Sequence, residues 1–460
     1  SDRLVQISMT QLYCARWVLP ILSSPIEDGV VAVEGSRIVG VGARRELSGK
    51  FVEARVSEFG EAAILPGLVN CHSHLELTAM RGFLEPVESN FLAWLKKLRI
   101  AREERMTQDD LYVSAAWGAV EAARAGVTCL GDAGDSGDAR LMALRDVGLR
   151  GVVYQEVFGP DSKLAQDRFA QLQEKVSALQ EEETELVRVG VSPHAPYTVS
   201  KTLLELITDF ALANNLPVMI HAAESEAEEL LMREGTGPFA LRFAQGGIDW
   251  RAPRVSTIQY FKEIGLLRAH PLLAHCIRVD AADIETIREA DASIAHCPKS
   301  NAKLGHGRAP LAAFLNQGLR VGLGSDSVAS NNTCDMLEEA RYAALISRAS
   351  VDKIEGDEPL GAEQMLRAAT SAGAQSFWPM NNIGSLAEGM DADLCIIRLD
   401  GAHQLPVYDP HSALIFASSH SDVILTMVAG REIFSNGCVR TVDEERLRAR
   451  IREIGRAIDS

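Results

Sequence analysis

Ile64-Leu-Pro-Gly-Leu-Val-Asn-Cys-His-Ser-His74 is an apolar run that ends in two histidines one residue apart. If Leu65 to Cys71 is a buried strand, His72 and His74 leave its end on the same side, because side chains alternate along a strand. Two imidazoles side by side at a strand end can hold a transition metal, and a metal there can turn water into a nucleophile at neutral pH. Taken alone, a His-x-His could equally be a polar strand cap. The rest of the chain decides between the two.

Downstream, short apolar runs alternate with amphipathic, helix-like segments as far as residue 325. The runs are Ala62–Val69, Val127–Leu130, Gly151–Val157, Leu186–Val191, Pro217–Ile220, Leu272–Ala274, Ala292–Ala295 and Arg320–Gly324. Eight strand–helix units predict an α/β fold built on a closed parallel (β/α)8 barrel of the TIM type. Each run ends in polar groups: His72 and His74, Asp132, Glu156, His194, His221, His275, His296 and Asp326. Active sites in such barrels form at the C-terminal ends of the strands. One ionisable residue after a strand means little, but eight in succession are hard to assign to packing.

The two ends of the chain read differently. Val30–Val41 contains two short strands around a Glu-Gly-Ser turn, and strand-like runs recur at 393–398 and 423–431. These predict a small β-sandwich domain made by both termini. The expected division is 1–60 and 381–460 for that domain and 61–380 for the barrel, with helical segments at 91–125, 333–349 and 360–377.

The 460 residues suit a large barrel with a satellite rather than one ordinary core. With 47% hydrophobic and 24% charged residues the composition is globular, and a net charge of −17 argues against binding nucleic acid or an anionic membrane. No apolar stretch reaches the roughly 18 to 20 residues that span a bilayer, and no basic region followed by an apolar core opens the sequence. The eight scattered cysteines include no C-x-x-C pair and suggest no disulfide framework. The expectation is a cytoplasmic protein acting on a small molecule.

The chemistry gathers after the later runs: His221-Ala-Ala-Glu224, His275-Cys-Ile-Arg278, His296-Cys-Pro-Lys-Ser-Asn301 and Gly324-Ser-Asp326. Three neutral imidazoles and one carboxylate make a first shell for zinc or ferrous iron with a position open for water. A further carboxylate and imidazole could move protons.

These motifs together resemble the amidohydrolase superfamily, in its branch of methylthioadenosine/S-adenosylhomocysteine deaminases and s-triazine hydrolases. The matching pieces are PGLVNCHSH with MRG at 80–82, PHAPYT at 193–198, HAAESEAE at 221–228, AHC at 274–276, HCPKSNAKL at 296–304, GSDSVASNN at 324–332 and GSLAEGMDADLCII at 384–397. The resemblance implies one divalent metal, zinc with iron as the alternative, held by His72, His74, His221 and Asp326. It implies that Glu224 protonates a ring nitrogen, that His275 orients the attacking hydroxide, and that Asp326 passes the water proton to the leaving group. His194 is expected to touch the nucleoside part, with His296 and Asn301 shaping the pocket, and the assembly is expected to be a homodimer or homotetramer.

Several positions stay open. Glu226 and Glu228 fit charges in the first turn of a helix, and His296 fits a satisfied core histidine. His270, His306, His403, His411 and His420 lie outside the matched positions and read as surface or structural. Trp94, in the Leu-rich stretch Phe91–Leu98, fits a core helix as well as an aromatic that stacks on a base. Either Glu103 or Glu104 could grip ribose hydroxyls. Arg278 stands where the family often has a histidine and could meet an acidic substrate group or a surface carboxylate. His74-Leu-Glu76-Leu-Thr with Phe91-Leu-Ala-Trp-Leu is closer to the aminodeoxyfutalosine deaminases. Strand four lacks the lysine that two-metal members carboxylate, which favours one metal. A hydrolase of s-triazines or other N-heterocycles is the runner-up reading, and a non-catalytic homologue is the alternative of another class.

Overall fold

The apolar stretch from 62 to 73 serves two different sheets, and Gly67 is where the chain passes from one to the other. In the computed structural model, which describes residues 9–349, 359–377 and 382–459, Ala62–Pro66 is one strand and Leu68–Ser73 the next. A Cβ at residue 67 would stand 2.0 Å from Thr128 Oγ1, so only glycine fits the crossing. The expected strand Ala62–Val69 is therefore corrected: both pieces are buried along their whole length, and hydrophobicity alone cannot mark the change of sheet.

Leu68–Ser73 is the first of eight parallel strands, labelled here β1. The others are β2 (Val127–Gly134), β3 (Arg150–Val157), β4 (Val187–Pro193), β5 (Met219–Ala222), β6 (Leu272–His275), β7 (Ser293–His296) and β8 (Arg320–Leu323). They form two four-stranded parallel sheets, β1 to β4 and β5 to β8, each in sequence order. The sheets touch at both edges, through parallel bridges Val191↔Val218 and Ser73↔Asp326. Burial on both faces explains why the runs read as continuous Val, Ile, Leu and Ala instead of alternating.

Each strand is followed by at least one helix, and the helix ends follow local chemistry. The region 91–125 divides into Phe91–Arg105 and Gln108–Arg124, because Thr107 and Asp110 form a reciprocal capping box that starts a new helix. Ser200 caps Lys201–Asn214, and Asp280 with Asp283 caps Ala281–Glu289. No helix among the described residues is long and apolar enough to cross a membrane.

The terminal strands join in one nine-stranded sheet. Five come from the N-terminal side and four, Leu394–Arg398, Val423–Val428, Arg431–Ser435 and Cys438–Val439, from the other. The halves meet where Ala62–Pro66 pairs antiparallel with Leu394–Arg398. Side chains alternate as a sheet with two different faces requires. Ala62, Ile64, Leu394 and Ile396 enter a core with Val31 and Met427, while Ala63, Leu65, Cys395 and Ile397 join the large core of the parallel strands.

Candidate functional site

Strand alternation does at β1 what the sequence predicts. His72 and His74 project to one side with ring centroids 4.8 Å apart, and Ser73 turns the other way to donate to Asp132 Oδ1 at 2.7 Å. Asp132 also accepts from Leu75 N and pairs with the fully buried Arg140 at 3.1 Å, so this strand-end carboxylate anchors β1 rather than facing the site. From β5, His221 stacks on His74 at 5.4 Å and meets His72 edge-on at 4.9 Å. Donor atoms of His72, His74 and His221 lie within 4.8 Å of one another.

Neighbouring groups fix which nitrogen faces inward. His221 Nδ1–H donates to the His194 carbonyl at 2.8 Å, which leaves Nε2 with a free lone pair. His72 Nδ1 lies 3.1 Å from Met219 Sδ, and its buried Nε2 has no hydrogen-bond partner. Asp326 arrives from the turn after β8. Ser300 and Ser330 hydroxyls donate to its Oδ2 at 2.5 and 3.2 Å, leaving Oδ1 at 3.4 Å from both His72 Nε2 and His74 Nε2. Two donors bound to one tetrahedral ion at about 2.0–2.1 Å each lie roughly 3.3 Å apart. The Asp326 oxygen meets His72 and His74 at that spacing, and the orphaned His72 nitrogen and the His221 nitrogen face the same point, a donor set that fits a zinc-like divalent ion.

Electrostatics agree. Burial keeps His72 well below the ordinary imidazole range and His74 at about 4, so both are neutral and able to ligate. Burial would raise Asp326, but His72, His275 and His74 together hold it well below its usual value. His275 and Asp326 adopt left-handed backbone, φ 77° and 57°, which non-glycine residues rarely take and which clusters at functional sites.

Glu224 sits beside this cluster. Burial pushes its carboxyl up to about 7, and Tyr197 OH donates to Oε2 at 3.2 Å. His275 Nδ1–H donates to Asn301 Oδ1 at 2.8 Å, so His275 presents a bare Nε2, 3.6 Å from Glu224 Oε1. His74, His194, His221, Glu224, His275 and Asp326 line a cavity of about 870 Å³.

Of the other sequence candidates, Trp94 and Glu103 line this cavity, Trp94 nearly buried at 6% exposure and Glu103 half-exposed and 3.6 Å from Arg99. Asn301, expected with His296 to shape the pocket, stands behind His275, and His296 is buried; neither lines the cavity. Arg278 faces Glu229 at 3.8 Å, a surface carboxylate. Glu228 accepts from the Ala223 and Glu224 backbone N–H groups at 2.8 and 3.0 Å, which fixes the turn that carries Glu224. Two residues given no role in the sequence sit close to the chemistry. Glu156, at the end of β3, lines the cavity with its buried Oε1 unpartnered. His306, expected at the surface or in a structural role, is buried with Nε2 3.7 Å from Glu224. No spacing rule links its Gly-His-Gly loop to β5.

Known proteins share this architecture. A 5-methylthioadenosine/S-adenosylhomocysteine deaminase of Syntrophobacter fumaroxidans is 32% identical over 435 residues, 94% of each chain. Another of that description from Nitratidesulfovibrio vulgaris is 31% identical, covering 94% of this chain and 93% of its own. Among solved structures, an adenosine deaminase from Xanthomonas campestris with bound zinc superposes with a TM-score of 0.87 at 26% identity over 98% of both chains. An atrazine chlorohydrolase from Arthrobacter aurescens shares the fold, with a TM-score of 0.82 at 23% identity over 96% of this chain and 99% of its own. The profile of the amidohydrolase family matches residues 63–433, a span that runs from the strand before β1, through every residue of the cluster, into the terminal sheet. This chain belongs to the amidohydrolase family.

Proposed function

We propose that the protein is a metal-dependent hydrolytic deaminase of a 6-aminopurine nucleoside, with methylthioadenosine, S-adenosylhomocysteine, adenosine and aminodeoxyfutalosine as the candidate substrates. The observation that carries this reading is Glu224. It is a buried carboxyl that titrates near neutrality, set across from a bare His275 nitrogen and beside a three-histidine, one-aspartate cluster. Support comes from relatives at 30% identity and above that are methylthioadenosine/S-adenosylhomocysteine deaminases, and from the zinc in the adenosine deaminase of similar structure.

In this reading His72, His74, His221 and Asp326 would hold one divalent ion, zinc. A bound ion of this kind lowers the pKa of a coordinated water and supplies hydroxide at neutral pH. Attack on the amino-bearing carbon of a heteroaromatic ring breaks aromaticity, and Glu224 lessens that cost by protonating the adjacent ring nitrogen. His275, its tautomer set by Asn301, orients the attacking oxygen and the addition intermediate. Asp326 takes the water proton and passes it to the amine, which leaves as ammonia. His194, Trp94 and Glu103 contact the nucleoside, and the cavity has room for a group attached beyond the sugar.

With this function go one closed (β/α)8 barrel, 61–380, in which the two parallel sheets join, and a β-sandwich from 1–60 and 381–460. Ammonia release measured across the four nucleosides and a set of s-triazines tests the function. Turnover of at least one nucleoside with kcat/KM above about 10⁴ M⁻¹s⁻¹ is expected. Turnover confined to triazines, with every adenosine derivative inert, would replace this reading with the triazine hydrolase one.

A further inference from the structure

His306 has no part in the metal cluster and does not line the cavity, yet it is only 6% exposed and is directed at the residue on which the chemistry turns. Its Nε2 is buried without a hydrogen-bond partner and lies 3.7 Å from Glu224 Oε1. An orphaned buried nitrogen costs stability unless something completes it, and Glu224 is the acceptor in front of it. Considerable local structure is given over to this placement. Gly305 and Gly307 both take left-handed backbone, φ 70° and 108°, so the chain turns sharply on either side of the histidine. The His306 N–H donates to the Asn301 carbonyl at 3.0 Å, and the ring packs edge-on against Phe91 with centroids 4.6 Å apart. Burial holds the imidazole at about 4. It is neutral and carries a single N–H.

We propose that His306 is a positioning residue for Glu224, its Nε2–H donating to Oε1 while Tyr197 donates to Oε2, so that the carboxyl plane is fixed for proton delivery to the substrate ring. The inference rests on Glu224 being the acid of the proposed reaction. At 3.7 Å the contact is longer than a hydrogen bond. Hydrogen bonds of catalytic groups are often long in the free enzyme and tighten once substrate is in place. His275 and His306 divide the work on the same oxygen. His275, whose hydrogen sits on Nδ1, faces Oε1 with a lone pair that accepts from it when the carboxyl is protonated there, and His306 faces the same oxygen with a donor. Held from both oxygens, the carboxyl cannot rotate away from the ring nitrogen.

The test uses the zinc-loaded full chain with 5′-methylthioadenosine, comparing His306→Phe, His306→Gln, Glu224→Gln and the double variant Glu224→Gln/His306→Phe. Phenylalanine keeps the ring packing on Phe91 and removes the donor, and glutamine restores a donor. His306→Phe is expected to lower kcat about tenfold, the order of one hydrogen bond to a charged group, with KM and zinc content unchanged. His306→Gln is expected to recover most of the loss, and His306→Phe to add nothing to Glu224→Gln. Parent-like kcat in His306→Phe while Glu224→Gln is inactive overturns the proposal and leaves the role of Glu224 standing. So does an equal loss in the parent and Glu224→Gln backgrounds, which marks a merely structural effect. Full turnover by Glu224→Gln removes both.

Discussion

Glu224 and Glu156 are both buried carboxyls raised toward neutrality, yet their surroundings give them different work. Glu224 is ringed by Tyr197, His275 and His306, and its proton has somewhere to go. Glu224→Gln is therefore expected to keep its metal and lose about 10²- to 10⁴-fold in kcat, checked by elemental analysis beside steady-state kinetics. Near-parent turnover would reduce Glu224 to a charge in a helix turn. Glu156 has no partner for Oε1, and burial, followed by repulsion from Glu76, pushes it from 4.5 to about 8. Its folded pKa lies above its unfolded one, so its contribution to stability is complete below about 4.5 and is lost as pH rises to about 8. A glutamine there does not titrate. Glu156→Gln should match the parent in denaturant unfolding at pH 4.5 and be the more stable of the two at pH 8, the gap widening by at most about 1.4 kcal/mol per pH unit. A constant difference across that window would show that Glu156 is not raised.

At the scale of elements, the histidine–aspartate cluster depends on how strand ends are joined to the turns that follow them. Asn70, fully buried in β1, donates to Ser325 Oγ at 2.8 Å and accepts from Ser325 N at 2.9 Å. It ties the strand of His72 and His74 to the turn of Asp326. Asn70→Ala leaves the Ser325 N–H unpaired, which should cost about 1–3 kcal/mol and weaken metal binding roughly 10- to 100-fold as Asp326 drifts. Chemical denaturation and zinc competition with a chelator measure both. Unaltered zinc affinity would show that the Ser300 and Ser330 hydroxyls and the Asp326 N–H bond to the His72 carbonyl hold Asp326 without Asn70. Much at this scale was legible in the sequence, because a strand end is a local event. An apolar run followed by His, Glu or Asp marks it, and Glu224 lies three residues beyond His221 on the same turn. What stayed hidden was either uniform or distant. The crossing at Gly67 lies between two equally buried strands, so no change of pattern announces it. His306 reaches Glu224 from a loop after a different strand, and Asn301 acts through His275 rather than from the pocket wall. Ser300 and Ser330 are ordinary serines until Asp326 is folded against them.

At the scale of the molecule, the parallel strands and the terminal sheet share a core and a buried ionic clamp. Arg150, at the start of β3, holds Asp393 through two 2.9 Å hydrogen bonds and Asp391 through a third at 3.0 Å. Both aspartates belong to the segment that enters the terminal sheet. The clamp lies at the N-terminal ends of the strands and the chemistry at the C-terminal ends, the separation of stability from catalysis that barrels of parallel strands favour. In the proposed reaction, water replaces an amino group on a purine ring at the His72, His74, His221 and Asp326 cluster. The most direct test is to incubate the zinc-loaded protein with 5′-methylthioadenosine in ¹⁸O-enriched water and record ammonia and the mass of the purine product. One ammonia per product molecule and one ¹⁸O atom on the six-membered ring, with the sugar still attached, are expected. Free adenine without ammonia, or a nucleoside recovered unchanged under conditions where an s-triazine is hydrolysed, would contradict it.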